Sequence, residues 1–161
     1  MANVDAFFSR MNPLVRTILR SPVHWLASSG LALITVTGRR TGRRYSIPVG
    51  YQREGDRVVI LVSEARRKQW WRNYREPGRV EVLLRRRALA GEASVLAPDD
   101  DAFREACERS FRRIPGLGRA FGLQFDAAAG LTSAQLERLR ENAAVVVIEL
   151  DRAPEPERQP I

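Results

Sequence analysis

The run LALITVT (31–37) is apolar throughout, whereas in YSIPVGY (45–51) the residues Tyr45, Ile47, Val49 and Tyr51 alternate with smaller ones. Both patterns predict strands. Pro48 places the second at a sheet edge or bulge, because proline cannot donate to a ladder. Glu54-Gly55-Asp56 then turns into RVVILVS (57–63), a buried strand completing a predicted three-stranded meander by Ser63. RRKQWWRNYREPG (66–78) reads as a short helix ending near Pro77-Gly78, and RVEVLL, the turn RRR and ALAGEASVLA form a second hairpin over 79–97. Between Asp100 and Ile114 the positions Phe103, Ala106, Cys107, Ser110, Phe111 and Ile114 recur at helical spacing. Acids lie at the front and arginines toward the end, as the helix dipole favours. A looser segment, GLGRAFGLQF (116–125), leads to TSAQLERLREN (132–142), where Thr132 and Gln135 are spaced for a capping box, and then to the strand AVVVIEL (144–150). Upstream, Asn12-Pro13 and Ser21-Pro22 each set an N-cap residue before a first-turn proline. They predict two short helices, the first with Leu14, Val15, Ile18 and Leu19 on one face and the second ending at Gly30.

About six strands, mostly hairpin-linked, with helices inserted late, imply an antiparallel barrel in an α+β arrangement rather than a doubly wound parallel sheet. The 161 residues suit one domain, with a tail from Asp151 whose prolines alternate with charges and which is expected to be disordered. No apolar run reaches the roughly 18–20 residues of a membrane span, and no signal-peptide pattern follows Met1, so the expected location is the cytoplasm. One cysteine and one histidine, Cys107 and His24, exclude an internal disulfide and the usual zinc site. Cys107 is expected in the core and His24 on the surface or at a cap.

The net charge is +8, and of 27 basic residues only Lys68 is a lysine. Such a surface favours nucleic acid, anionic lipid or an acidic small molecule. Nucleic acid is the weakest of these, because no aromatic ladder on alternating strand positions is evident. Arg16 and Arg20 beside the apolar face of the first helix are compatible with peripheral membrane contact, although packing on the barrel is the simpler role. The chain lacks G-x-S-x-G, G-x-G-x-x-G and G-x-x-x-x-G-K-[ST], so any enzyme here relies on a cofactor for its hard chemistry.

Two basic segments qualify as binding features. In the first hairpin loop, Arg39, Arg40, Arg43 and Arg44, the Thr41 hydroxyl and the Gly38 and Gly42 amides are placed to surround a phosphate or carboxylates. The second, Ser63 to Tyr74, carries Arg66, Arg67, Lys68, Trp70, Trp71, Arg72 and Asn73 at a strand end and helix start. Cations and indoles there suit an anionic aromatic ligand, with at least one tryptophan expected in the core.

Together these segments resemble the deazaflavin (F420)-dependent nitroreductase family, the F420-binding split β-barrel proteins. The pattern T-G-R-x-[ST]-G, with a proline six residues after its second glycine, stands here as Thr37 to Gly42 with Pro48. A strand ending at Ser63, the W-x-x-N segment Trp70-Trp71-Arg72-Asn73 and the PGRVEV entry to the next hairpin follow in order. The resemblance implies an α+β split β-barrel of about six mainly antiparallel strands with flanking helices. It divides the chain into an N-terminal helical segment (1–30), a cofactor-binding barrel (31–150) and a tail (151–161). It implies F420 as cofactor, with FMN the alternative on this scaffold, held by Arg39, Arg40, Thr41, Gly42, Arg43, Arg44, Pro48, Ser63, Arg66, Arg67, Lys68, Trp70, Trp71 and Asn73. Reduced deazaflavin would pass a hydride to a small electron-poor quinone, nitro compound or enone. No catalytic side chain or metal is identified, and split barrels often pair as homodimers. A ligand carrier without turnover is the other reading. Three positions depart from the family: Tyr45 replaces an arginine, Glu64-Ala65-Arg66 replaces Lys-Gly-Gly, and PGLGRAFGLQF lacks the substrate-holding tyrosines, leaving Phe121 and Phe125 as an apolar wall.

Overall fold

The computed structural model describes residues 30–85 and 87–152. Among them seven strands form one sheet: β1 (Leu31–Thr37), β2 (Arg44–Gly50), β3 (Gln52–Glu54), β4 (Arg57–Val62), β5 (Gly78–Leu84), β6 (Arg87–Val95) and β7 (Ala144–Leu150). Their order is β2-β1-β5-β6-β7-β4-β3, every neighbouring pair antiparallel. A 3-10 helix (Trp70–Tyr74) precedes β5, and α1 (Asp101–Arg113), α2 (Leu117–Ala120) and α3 (Ser133–Asn142) lie between β6 and β7.

The first and last strands in that order, β2 and β3, are separated in sequence only by Tyr51. Two peptide units span at most about 7–8 Å, so the ends of the sheet must meet and the sheet must curl. The expected single strand is thus two: β2 pairs with β1 along its whole length, the chain bends at Tyr51, whose amide donates to the Gly30 carbonyl at 3.1 Å, and β3 pairs with β4. The predicted meander is corrected accordingly, because its two hairpins occupy opposite ends of the strand order and meet only through this bent strand. Pro48 lies in β2, which has a ladder partner only on the β1 side, so its missing N–H costs nothing there.

Around this closed antiparallel sheet β1, β4 and β6 run one way and β2, β3, β5 and β7 the other. The connections 38–43, 63–77 and 96–100 and the entry to β7 are therefore at one end of the barrel. The interior packs Ile34, Val36, Val58, Ile60, Val82 and Ile148, and Trp70 and Tyr74 of the 3-10 helix join the same cluster. Outside, Phe103, Cys107, Phe111, Leu123 and Leu139 pack on Val59, Val145 and Val147. β7 thus buries both faces, which is why its sequence is almost continuously apolar. Each such valine contributes roughly 1.5–3 kcal/mol relative to an exposed one.

The helices start where their caps stand. The Asp100 carboxylate accepts from the Ala102 amide at 3.0 Å, and Thr132 and Gln135 form the expected capping box, each side chain accepting from the other's amide at 3.1 Å. Cys107 is fully buried, and desolvation pushes its thiol up to about 12, so it is a core residue. The helix expected over 66–78 is shorter than its pattern suggests. Residues 63–67 are turns, Glu64 has φ of +49°, and the Ala65 amide donates to the Asn142 carbonyl at 2.8 Å. Asp151, the first residue of the expected tail, bonds through its amide to Ala90 O at 2.9 Å and pairs with Arg79. The N-terminal helices, His24, Arg16 and Arg20 and the tail beyond Arg152 lie outside the described residues.

Two packing details carry predictions. A Cβ at Gly91 would lie 3.0 Å from both the Glu149 carbonyl carbon and Ile148 Cγ2 on β7. Gly91→Ala is expected to push β6 from β7 and cost about 1–3 kcal/mol in a urea melt. Glu108 accepts from the Leu131 amide at 3.0 Å and faces Arg104 and Arg112 at 3.2 and 3.4 Å, contacts that hold its carboxyl below the usual range. A lowered folded value makes this contribution complete above the ordinary glutamate value, about 4.3, and lost as pH falls through the folded one. Glu108→Gln should therefore cost about 1 kcal/mol at neutral pH, with the difference from wild type closing below about pH 4 in melts across pH.

Candidate functional site

The hairpin loop between β1 and β2 is closed on itself. The Gly38 amide donates to Arg43 O at 2.9 Å, the Gly42 amide to Gly38 O at 2.8 Å and the Arg43 amide to Thr41 Oγ1 at 3.3 Å. Gly42 sits at φ +66°, a left-handed position that a side chain would strain. The glycine amides expected to face an anion are thus engaged inside the loop. Arg44 pairs with Glu81 at 2.6 Å and Arg39 with Glu76 at 3.6 Å. Exposed Arg40 and Arg43 have no acidic partner among the described residues.

Asn73 joins this loop to the second basic segment. Its Oδ1 accepts from the Arg39 amide at 3.2 Å, and its Nδ2 donates to Trp70 O at 2.9 Å. Trp70 is buried and meets Tyr74 edge-on at 6.5 Å, so one tryptophan is core as expected. The buried Tyr74 hydroxyl has no hydrogen-bond partner among the described residues, and burial, with nearby Tyr45, raises its pKa above the ordinary tyrosine range. Tyr45 and Tyr51 are half-buried and pack against the barrel interior. Lys68 Nζ donates to Ser63 Oγ at 3.2 Å, which leaves the serine O–H free to donate elsewhere. Glu64 pairs with Arg67 at 3.7 Å.

Two clefts flank the 64–67 turn, and exposed Arg66 lines both. One, about 500 Å³, runs below half-buried Trp71, whose Nε1 donates to Ala65 O at 2.8 Å; the other, about 450 Å³, has Phe121 and Leu139 as apolar wall and Arg67 and Arg138 as cations. Phe125 instead packs on Phe111 at 5.4 Å. Neither cleft includes residues 38–44, so the two predicted segments share an end of the barrel and the Asn73 contact but not one of these cavities. Arg75, Arg138 and Arg140 also line them, and sequence reasoning missed all three. They reach the clefts from separate elements, and no local spacing marks them. Asn73→Ala should cost about 1 kcal/mol and speed hydrogen exchange at the Arg39 amide, whereas Asn73→Asp, which keeps the acceptor, should largely preserve that protection.

Several solved structures share this architecture. An F420-H2 dependent reductase aligns at 16% identity over 75% of this chain and 95% of that chain, with a TM-score of 0.52. The heme storage protein HutZ from Vibrio cholerae aligns at 11% identity over 89% and 92%, with a TM-score of 0.51. A protein described as a domain-swapped dimer aligns at 15% identity over 80% and 100%, with a TM-score of 0.53. At these identities the likeness establishes the split-barrel fold. No curated protein matches the chain. A sequence model described as F420H(2)-dependent quinone reductase matches residues 14–116, a span that holds the hairpin loop, Ser63 and the Trp70–Asn73 segment. The chain belongs to the F420H(2)-dependent quinone reductase family.

Proposed function

We propose that the chain is an F420-dependent oxidoreductase that delivers a hydride from the reduced deazaflavin to a small electron-poor acceptor of the quinone class. The observation that carries this reading is the family match over both basic segments, which Asn73 ties together in the fold. The residues fit the cofactor's chemistry. Arg40 and Arg43 offer two guanidinium forks with no carboxylate competing for them among the described residues, suited to the phosphate and glutamates of F420. The Ser63 hydroxyl, oriented by Lys68, has a proton to donate to a polar edge of a bound ring. Trp70, fixed in the barrel core, keeps the adjoining corner rigid. Glu64, a repulsive neighbour for an anion if bare, is offset by Arg67.

When bound, F420 supplies the hydride chemistry; the chain's part is to hold and orient both partners and to keep an acceptor against the exposed ring. Binding contributed by arginines remote from the reacting carbon is uniform across ground and transition states, so it belongs in KM rather than kcat.

Protein-dependent oxidation of reduced F420 by a soluble naphthoquinone, followed anaerobically by the return of deazaflavin absorbance, tests this reading. Replacing Arg40 and Arg43 together by alanine should raise KM for reduced F420 by roughly tenfold with little change in kcat. Arg44→Ala should do much less, because its guanidinium is already held by Glu81. Absence of protein-dependent oxidation would overturn the activity, and equal effects of the two replacements would overturn the roles given to Arg40 and Arg43.

A further inference from the structure

The cleft below Trp71 joins two kinds of surface. One wall is apolar, from Val95 at the end of β6, Leu96 and Pro98 in the β6–α1 connection and Ala143 after α3; the other is cationic, from Arg66, Arg72, Arg75 and Arg140. Glu141 is the sole acid among the described residues that line it. At about 500 Å³ the cleft is in the range of small-molecule sites, which run from roughly 300 to 1,000 Å³.

Its arginines carry unmet demand. The guanidinium carbons of Arg72 and Arg75 lie 5.6 and 5.2 Å from the centroid of the same Trp71 ring, so two cations crowd one indole. Neither they nor Arg66 has a carboxylate within ion-pair distance among the described residues. Arg72 Nε is buried without a hydrogen bond among the described residues, and its Nη2 reaches Arg66 O only at 3.5 Å. Arg140 is differently placed: Glu137 at 2.7 Å and Pro98 O at 3.0 Å hold it as a fixed part of the rim. A buried charged donor left without an acceptor is costly, and an anion entering the cleft beside Arg72 and Arg75 supplies that acceptor.

We propose that this cleft binds a small carboxylate with an apolar, aromatic body. The carboxylate is taken by the forks of Arg72 and Arg75, with Arg66 at the open side, and the body lies on the Val95–Pro98 wall beside Trp71. A bare inorganic anion leaves that wall wet, and a neutral aromatic leaves the arginines unmatched, so the pair of surfaces selects for both features at once. Arg66 and Trp71 also belong to the segment the resemblance assigns to the cofactor, but the hairpin-loop arginines take no part, so replacing Arg40 and Arg43 separates the two sites.

Titration of the full chain with 2-naphthoate, followed by tryptophan emission and by calorimetry, tests the proposal against two partial probes: methyl 2-naphthoate, which lacks the charge, and acetate, which lacks the body. Saturable naphthoate binding is expected, with both partial probes weaker by roughly tenfold or more. Arg72→Gln and the surface variant Arg75→Gln should each weaken naphthoate by about tenfold, while Trp71→Phe should abolish the emission change yet keep the calorimetric signal. Arg40→Ala/Arg43→Ala should bind naphthoate as wild type does. The proposal is overturned if naphthoate does not bind, if either partial probe binds as tightly, or if a folded Arg75→Gln chain binds it undiminished.

Discussion

One strand belongs to both ends of the sheet. Because β2 pairs with β1, β3 pairs with β4 and only Tyr51 separates them, the sheet cannot lie open. The bend has a second consequence. With strand directions alternating around a closed barrel, the β1–β2 loop, the 63–77 segment, the β6–α1 connection and the end of α3 are brought to a common end, although they are far apart in sequence.

That end also carries a cluster of uncompensated positive charge. Several other arginines find acids: Arg57 with Glu149, Arg79 with Asp151, Arg109 with Glu54, whereas Arg53, Arg85, Arg87 and Arg119 find none among the described residues. Such exposed pairs contribute little stability, about 0–1 kcal/mol each, but they quench local potential. Arg40, Arg43, Arg66, Arg72 and Arg75 have no such partner among the described residues and cluster on the loops and the 3-10 helix of this barrel end, which gives it an anion-attracting field. The 3-10 helix organises it. Trp70 and Tyr74 anchor its inner side in the core, Asn73 holds the hairpin loop, and Trp71 with Arg72 faces the cleft.

Most elements were legible in the sequence because their signals were local. The alternation in 45–51, the capping box at Thr132 and Gln135 and the 3.6-residue stripe through Phe103, Cys107 and Phe111 each depend on neighbours only a few residues away. What was not legible depends on contacts distant in sequence. Nothing between Tyr45 and Glu54 announces that one strand serves two partners. The 66–78 helix is shortened because the preceding turn is bonded to Asn142. The same limit applied to the site. The arginine clusters and Trp70–Asn73 were visible as runs, but which arginines are already paired follows from Glu76 and Glu81, more than thirty residues on. Arg75, Arg138 and Arg140 become neighbours of a cleft only through the fold.

The central claim is that this barrel end is built for F420. Equilibrium titration of the purified chain with F420 and with FMN, following cofactor fluorescence at near-physiological salt, tests it most directly. Selective, saturable binding of F420 is the predicted result, since of the two cofactors only F420 brings a run of carboxylates to Arg40 and Arg43. Tighter binding of FMN, or no saturable binding of either, would contradict it.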